Sequence, residues 1–403
     1  MNKKFYIEEM HQQPTEQGCL VTFKLDIMGK KWDLNYNITG GKIHSVPELC
    51  DSVVVTFLIY ALEYGFDFES NIPMSEDLHY KVTRHIIPQI LFCDKKAKQI
   101  QINVPTKNEK FNGDINATGV SLGVDSFAAI KEYSSEDLPE HYRITHLVHL
   151  RVGAHHGGRT YKDLAYEEEL FLAENAKVKN YCEKTNKKLI TIESNLYDIT
   201  CSEFSLPFEP SHLFRNMAAL LLVQNRVKRY YYASSQSLAN FYIDIKRSSA
   251  AYEKWVLAYL SNQNINFFST SGAMTRSQKV EYLIDYKETQ EFLHVCWMSD
   301  SNCGECNKCI RTLLQLDSLD ALDLYKNVFD IEKFKRKKKW YWTKAAAIKN
   351  VNSSYASVVR DRKARGLKMP NGFEIFCAKV QIILTNFFKS GPKYVIERIK
   401  VKH

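Results

Sequence analysis

Residues Val120–Ser126 read V-S-L-G-V-D-S, and the reading of this stretch decides the fold of what surrounds it. It follows a polar, turn-prone segment holding Asn112, Gly113, Asp114 and Asn116, and it runs into the apolar helical residues Phe127-Ala128-Ala129-Ile130. A loop of this composition between a strand and a helix can hold phosphate. N–H groups at a helix start lack partners within the helix, and the helix dipole favours anions there. Gly123 permits close approach of the backbone. Ser121 and Ser126 offer hydroxyl donors, and Asp125 offers oxygens to a divalent cation such as Mg2+. The same residues also suit an ordinary helix start with Asp125 and Ser126 as caps.

Outward from the loop, strands and helices alternate. Ile144–Leu150 is a β-rich run, Tyr166–Cys182 is helical, and Lys188–Glu193 is a strand. His212–Val227 reads as an apolar helix, followed by strands over Arg229–Ala233 and Asn264–Phe268. This rhythm predicts an α/β fold with a parallel sheet between helices. In such sheets ligands bind beyond the carboxyl ends of the strands. That rule places Ser121–Ser126, the His155-His156-Gly157 segment and Ser234-Ser235 on one rim. His155 and His156 suit either acid–base work or a solvated loop. His146 and His149 fall on opposite faces of their strand and make poor joint metal ligands.

Residues 1–110 read as a separate α+β domain. Leu20–Ile27 and Trp32–Ile38 alternate as strands do, Gly29 lies between them, and Gly40-Gly41 closes the second. Pro47–Tyr64 reads as an apolar helix, and Ile100–Val104 as a further strand. Residues 326–403 form a basic helical extension. The stretch from Ile331 to His403 holds 19 Lys/Arg and 4 Asp/Glu, so the overall charge of +9 belongs to the tail and the rest of the chain is net acidic. Lys335–Lys339 runs into Trp340-Tyr341-Trp342, and Phe373–Phe388 is apolar with lysines following. Such a tail suits an anionic surface, membrane or nucleic acid, or else packs on the body with its charges solvated.

The 403 residues are 45% hydrophobic and 25% charged, in the range of globular domains, and no run of about 18 apolar residues predicts a membrane span. Glu8 and Glu9 follow the opening Met1–Phe5, so no signal peptide is expected. Ten cysteines without such a signal predict a reducing, cytoplasmic setting. Six are scattered; Cys296, Cys303, Cys306 and Cys309 are clustered as C-x6-C-x2-C-x2-C. Two overlapping C-x2-C steps with a nearby fourth thiol predict a tetrahedral Zn2+ site, Gly304 easing the turn. An iron–sulfur cluster is the alternative occupant.

The heptapeptide resembles the S-G-G-x-D-S loop of the PP-loop ATP pyrophosphatase superfamily. Ser121, Gly123, Asp125 and Ser126 match, and Leu122 stands where the family has its first glycine. With the downstream C-G-x-C-x-x-C and Arg311, the chain resembles the 7-cyano-7-deazaguanine synthase branch over residues 113–320. The resemblance implies a PP-loop (HUP-like) domain over residues 111–325 carrying a zinc knuckle. It implies ATP and Mg2+ bound by Ser121, Leu122, Gly123, Val124, Asp125, Ser126 and Arg215. Asp125, Ser126, Arg276 and Lys279 are then the expected catalytic residues, with Arg311 as a further cation. The implied chemistry is adenylation of a small-molecule or protein-borne carboxylate, or a carbonyl, releasing pyrophosphate; ammonia, an amine or another nucleophile then displaces AMP. Two other readings remain open: an RNA sulfur-transfer enzyme with an iron–sulfur cluster, and a nucleotide-binding module without turnover.

Overall fold

The computed structural model describes residues 3–153, 164–236, 241–349 and 353–385. The chain divides into two compact units, Met1–Thr275 and Arg276–His403.

Among its described residues the first unit has twelve strands: β1 (Lys3–Pro14), β2 (Gly18–Ile27), β3 (Lys30–Gly40), β4 (Phe66–Ser70), β5 (Met74–Ser75), β6 (Ile102–Asn103), β7 (Thr106–Lys107), β8 (Ile115–Gly119), β9 (His146–Arg151), β10 (Lys188–Ser194), β11 (Val227–Ala233) and β12 (Asn266–Thr270). Ten of them form one sheet in the order β12-β11-β8-β9-β10-β3-β2-β1-β4-β6, and β5 pairs with β7 apart from it. The first five in that order are mutually parallel. Helices Val124–Tyr133, Leu164–Lys184, Phe208–Leu222 and Glu253–Leu260 lie among the connections between them. From β8 the chain winds through β9 and β10 to one side, then through β11 and β12 to the other. The order of strands therefore reverses between β8 and β11. This is the α/β class expected from the alternating rhythm.

The sheet continues through the boundary expected near residue 110. β3 pairs antiparallel with β10, Ile38 opposite Ile192. An unpaired β10 would end the parallel set in a row of open N–H and C=O groups, and the β1–β3 meander closes that edge. The turn between β2 and β3 puts both Met28 (φ 55°) and Gly29 (φ 96°) in the left-handed region, as a two-residue hairpin requires. Leu34, Tyr36 and Ile38 of β3 are fully buried. Helix Asp51–Tyr64 packs on helix Phe208–Leu222, and Phe5, Phe57, Phe66 and Phe204 meet in one aromatic cluster. Pro47, expected in the first helical turn, precedes it: the helix begins at Asp51, with Cys50 at its N-cap.

The second unit is helical. Its helices are Arg276–Tyr282, Lys287–Phe292, Asn307–Ser318, Ile331–Ile348 and Ser353–Ala364, with a further helical stretch over residues 372–385. The cysteine cluster and the basic extension both belong to this unit. The lysine run lies on Ile331–Ile348, and much of its charge is met locally. Lys333 and Lys337 pair with Glu305, Lys335 with Asp323 and Glu332, Lys338 with Asp317, and Lys339 with Glu374. Tyr341 and Trp342 are buried. Among the described residues no helix is long and apolar enough to cross a membrane.

Candidate functional site

Val120–Gly123 connects the carboxyl end of β8 to the helix Val124–Tyr133, at the point where strand order reverses. Crevices at such points are where doubly wound sheets bind ligands. The loop is braced from within. Ser126 Oγ donates to Gly119 O at 2.8 Å and accepts from Ser121 N at 3.2 Å. A serine has one hydroxyl proton, so Ser126 is spent on holding the loop and acts as a positioning residue. Ser121 is exposed, Asp125 and Gly123 are half-buried, and Val124 is buried.

Gly123 is the N-cap, and no side chain caps this helix. The alternative reading, with Asp125 and Ser126 as caps, is therefore not what forms: both lie inside the first turn. That turn carries an acidic residue, Asp125, beside N–H groups that have no side-chain cap.

Leu122 has φ 54°, a left-handed conformation, and its side chain is buried. The backbone thus takes a shape natural to glycine while holding a leucine. The conformation costs about 1–2 kcal/mol. Burying a leucine side chain returns about 1.5–3 kcal/mol, so the packing offsets the strain.

Arg215, on helix Phe208–Leu222, is only 3% exposed. Its Nη2 donates to Tyr60 Oη and, at 3.0 Å, to Thr200 Oγ1. Both acceptors pass their own protons onward, Tyr60 to Ser211 Oγ and Thr200 to Leu196 O. The guanidinium lies near the Tyr60 and Phe208 rings, 5.7 and 5.4 Å from their centroids. Among the described residues Nε and Nη1 have no hydrogen-bond partner. A β-carbon on Gly153 (φ 99°), just past the end of β9, would fall 2.3 Å from Arg215 Nη1. Gly153 is therefore the only kind of residue that lets the backbone pass so close to this buried cation.

Two residues on the same rim carried no sequence signal of their own. Tyr232 lies near the carboxyl end of β11, its Oη 3.2 Å from His212 Nε2. His212 Nδ1 sits 2.8 Å from Glu209 O, which can only accept. Nδ1 therefore carries the proton, and Nε2 accepts from the phenol. Burial pushes His212 below the usual imidazole range. Burial likewise raises the Tyr232 phenol well above its ordinary value, and the Glu253 and Asp125 carboxylates add to the rise. For Tyr232, its place near the end of β11, the fourth strand of the parallel set in chain order, is the signal that could have found it; His212, on the helix Phe208–Leu222, is reached only through that phenol. Ser234, also on this rim, is buried and donates to Gln236 O at 2.8 Å. His155 and His156 lie outside the described residues.

In the second unit the Sγ atoms of Cys296, Cys303, Cys306 and Cys309 all lie within 4.8 Å of one another. Bonds of about 2.3 Å from one tetrahedral zinc would set thiolate sulfurs about 3.8 Å apart, and the Cys296–Cys306 and Cys303–Cys309 pairs stand at 4.0 Å. The quartet fits one metal ion such as zinc. Backbone N–H groups already point at the sulfurs: Cys306 N to Cys303 at 3.3 Å, Cys309 N to Cys306 at 3.4 Å, and Met298 N to Cys296 at 3.4 Å. Such bonds favour thiolates. Hydrogen bonding with Cys309 holds the Cys306 thiol down, at about 4, while Cys309 is pushed up. Gly304 has φ 69°, the turn expected between ligands. Lys333 Nζ, 3.2 Å from Cys303 O, brings positive charge toward the quartet.

Arg276 and Lys279 lie on the helix Arg276–Tyr282 that opens the second unit, and Lys279 is buried. Arg311 lies on Asn307–Ser318 and donates to Ser354 Oγ at 2.9 Å.

Comparison with family models, with curated proteins and with solved structures found no match to this chain.

Proposed function

We propose that the chain is an ATP-using enzyme of the PP-loop type, which cleaves ATP to AMP and pyrophosphate while adenylating a carboxylate or carbonyl substrate. A nucleophile such as ammonia or an amine then displaces AMP. The observation that carries this reading is the position of Val120–Ser126. It is an uncapped helix start at the reversal point of a five-stranded parallel set, with its backbone in the turn that a glycine loop would take.

On this reading the first-turn N–H groups take phosphate oxygens. Asp125 holds Mg2+, which would neutralise charge on the departing pyrophosphate. Ser126 keeps the loop closed. Arg215 supplies a desolvated positive charge to an anionic group of the ligand, where low polarity strengthens the attraction. The cysteine quartet holds its metal structurally, because four thiolates leave no open coordination position.

The test is incubation with Mg-ATP and a panel of carboxylates with ammonium or amines. AMP and pyrophosphate should form in equal amounts, and Asp125→Ala should abolish both. Release of ADP alone, or failure to bind ATP, rejects the proposal. Iron and sulfide in the purified protein would instead favour sulfur transfer.

A further inference from the structure

The helical stretch over residues 372–385 begins in a reciprocal capping box. Asn371 Oδ1 accepts from Glu374 N, and Glu374 Oε2 accepts from Asn371 N, both at 2.9 Å. One side of it is seated on the second unit: Ala378 is buried, and Glu374 pairs with Lys339 at 2.8 Å. The other side is apolar and open. Phe373, Phe376, Val380, Ile383 and Leu384 are 75%, 62%, 40%, 54% and 50% exposed. Their spacing of three, four, three and one residues places them along one stripe of a helix. Single exposed apolar residues are ordinary, but a continuous stripe of this kind marks a surface that something covers.

We propose that this stripe is an interfacial membrane anchor that seats the protein on a bilayer carrying anionic headgroups. Charge selects this occupant. Lys368 and Lys379 flank or interrupt the stripe, and residues 386–403 add five Lys/Arg against one Asp/Glu. A second copy would bring the same positive charge onto itself. A nucleic acid would satisfy the lysines, but Val380, Ile383 and Leu384 have no ring face on which bases could stack. A bilayer takes both features: aliphatic and aromatic side chains enter the acyl boundary, and lysines reach the headgroups. The described part of this helix, residues 372–385, covers about 21 Å, and among the described residues no helix is long and apolar enough to cross a membrane, so the exposed stripe is read as lying along the interface. The proposal stands apart from the ATP reading and survives its failure.

The test is sedimentation of the full chain with vesicles of phosphatidylcholine alone and of phosphatidylcholine with about one third phosphatidylserine. Binding at least tenfold tighter to the anionic vesicles is expected. The double variant Phe376→Ser/Ile383→Ser should lose tenfold or more of it while keeping its helical circular dichroism and bound metal. The variant Lys339→Ala, which touches the seated side, should bind like the parent. Sedimentation with neither vesicle, equal sedimentation with both, or vesicle binding unchanged in the double variant would overturn the proposal. So would a dimer in light scattering that dissociates in the double variant, or a single-stranded RNA that binds in a stripe-dependent way.

Discussion

Replacing Arg215 with methionine separates a structural cation from one held for a ligand. Burying a guanidinium costs several kcal/mol even after relaxation. What returns that cost here is countable. Two hydrogen bonds reach neutral hydroxyls, worth about 1.5–3 kcal/mol each because the donor is charged. Two rings lie within 6 Å, worth up to about 2 kcal/mol when desolvated. These terms nearly cancel, and methionine fills similar space with an adaptable chain. The nucleotide-free Arg215→Met protein should therefore unfold in urea within about 2 kcal/mol of the parent, against the 3–5 kcal/mol lost when a buried ion pair is broken. Mg-ATP should then show what the charge is for. At about 100 times Kd, ATP stabilises the parent by about 2.7 kcal/mol. Loss of a charged contact to phosphate weakens binding about 10- to 100-fold, leaving about 0.4–1.4 kcal/mol of stabilisation at the same ATP concentration. Urea titrations followed by circular dichroism, with and without Mg-ATP, measure both quantities. A loss of 3–5 kcal/mol without nucleotide would make Arg215 structural, and an unchanged ATP effect would refute its role toward an anion.

Gly153→Ala should cost more than about 2 kcal/mol and weaken ATP binding, since φ is 99° and the new carbon would meet Arg215 Nη1; chemical denaturation and nucleotide titration check it. Cys309→Ser should release the metal, and metal analysis of the parent should give one zinc per chain; parent protein free of metal would contradict the geometry of the quartet. Asp317→Ala should destabilise the second unit by about 1–3 kcal/mol, because it takes a buried carboxylate from Arg362, the Trp342 indole and the half-exposed Lys338, while Arg362 Nε keeps Lys368 O; thermal unfolding of the variant reads this out. Burial holds His212 below its unfolded value, so the unfolded chain binds the extra proton and stability falls as pH drops through about 6.5. His212→Gln should flatten that part of the stability–pH curve, and an unchanged slope would remove His212 as its source.

What the sequence made legible follows periodicity. β2 and β3 alternate cleanly and were readable, as were the apolar runs of β10 and β11. β8 was not. Its residues Ile115-Asn116-Ala117-Thr118-Gly119 are buried on both faces or nearly so, so no alternation appears, and its polar members mimic a turn. Asn116 and Thr118 are admitted to a central strand because they are satisfied there: Asn116 Nδ2 donates to His141 O and Arg143 O, and Thr118 Oγ1 to Tyr231 O. The expected break near residue 110 failed to foresee a continuous sheet for a related reason. Edge closure by β3 on β10 is a pairing across about 150 residues of sequence, and no local pattern encodes it. The four cysteines were the opposite case. Their ligand spacing is local, so the sequence alone brought them to one point, and the backbone N–H groups confirm the turn that does it.

Leu122 shows where residue identity and backbone shape part company. Read as a letter, it breaks a glycine loop. Read as a backbone, it keeps the left-handed turn, and its buried side chain supplies the packing that makes the turn affordable. Leu122→Gly should then leave the path of the loop unchanged. It removes about 1–2 kcal/mol of strain and about 1.5–3 kcal/mol of burial, and it frees the unfolded chain, for a net loss of about 1–2 kcal/mol. ATP binding, if it depends on the N–H groups of this turn, should change little in Leu122→Gly. It should fall in Leu122→Pro, whose ring fixes φ near −65° and removes one N–H. Isothermal titration of the two variants reads the outcome. Equal loss in both would mean that the leucine side chain, not the turn, is what the ligand site requires.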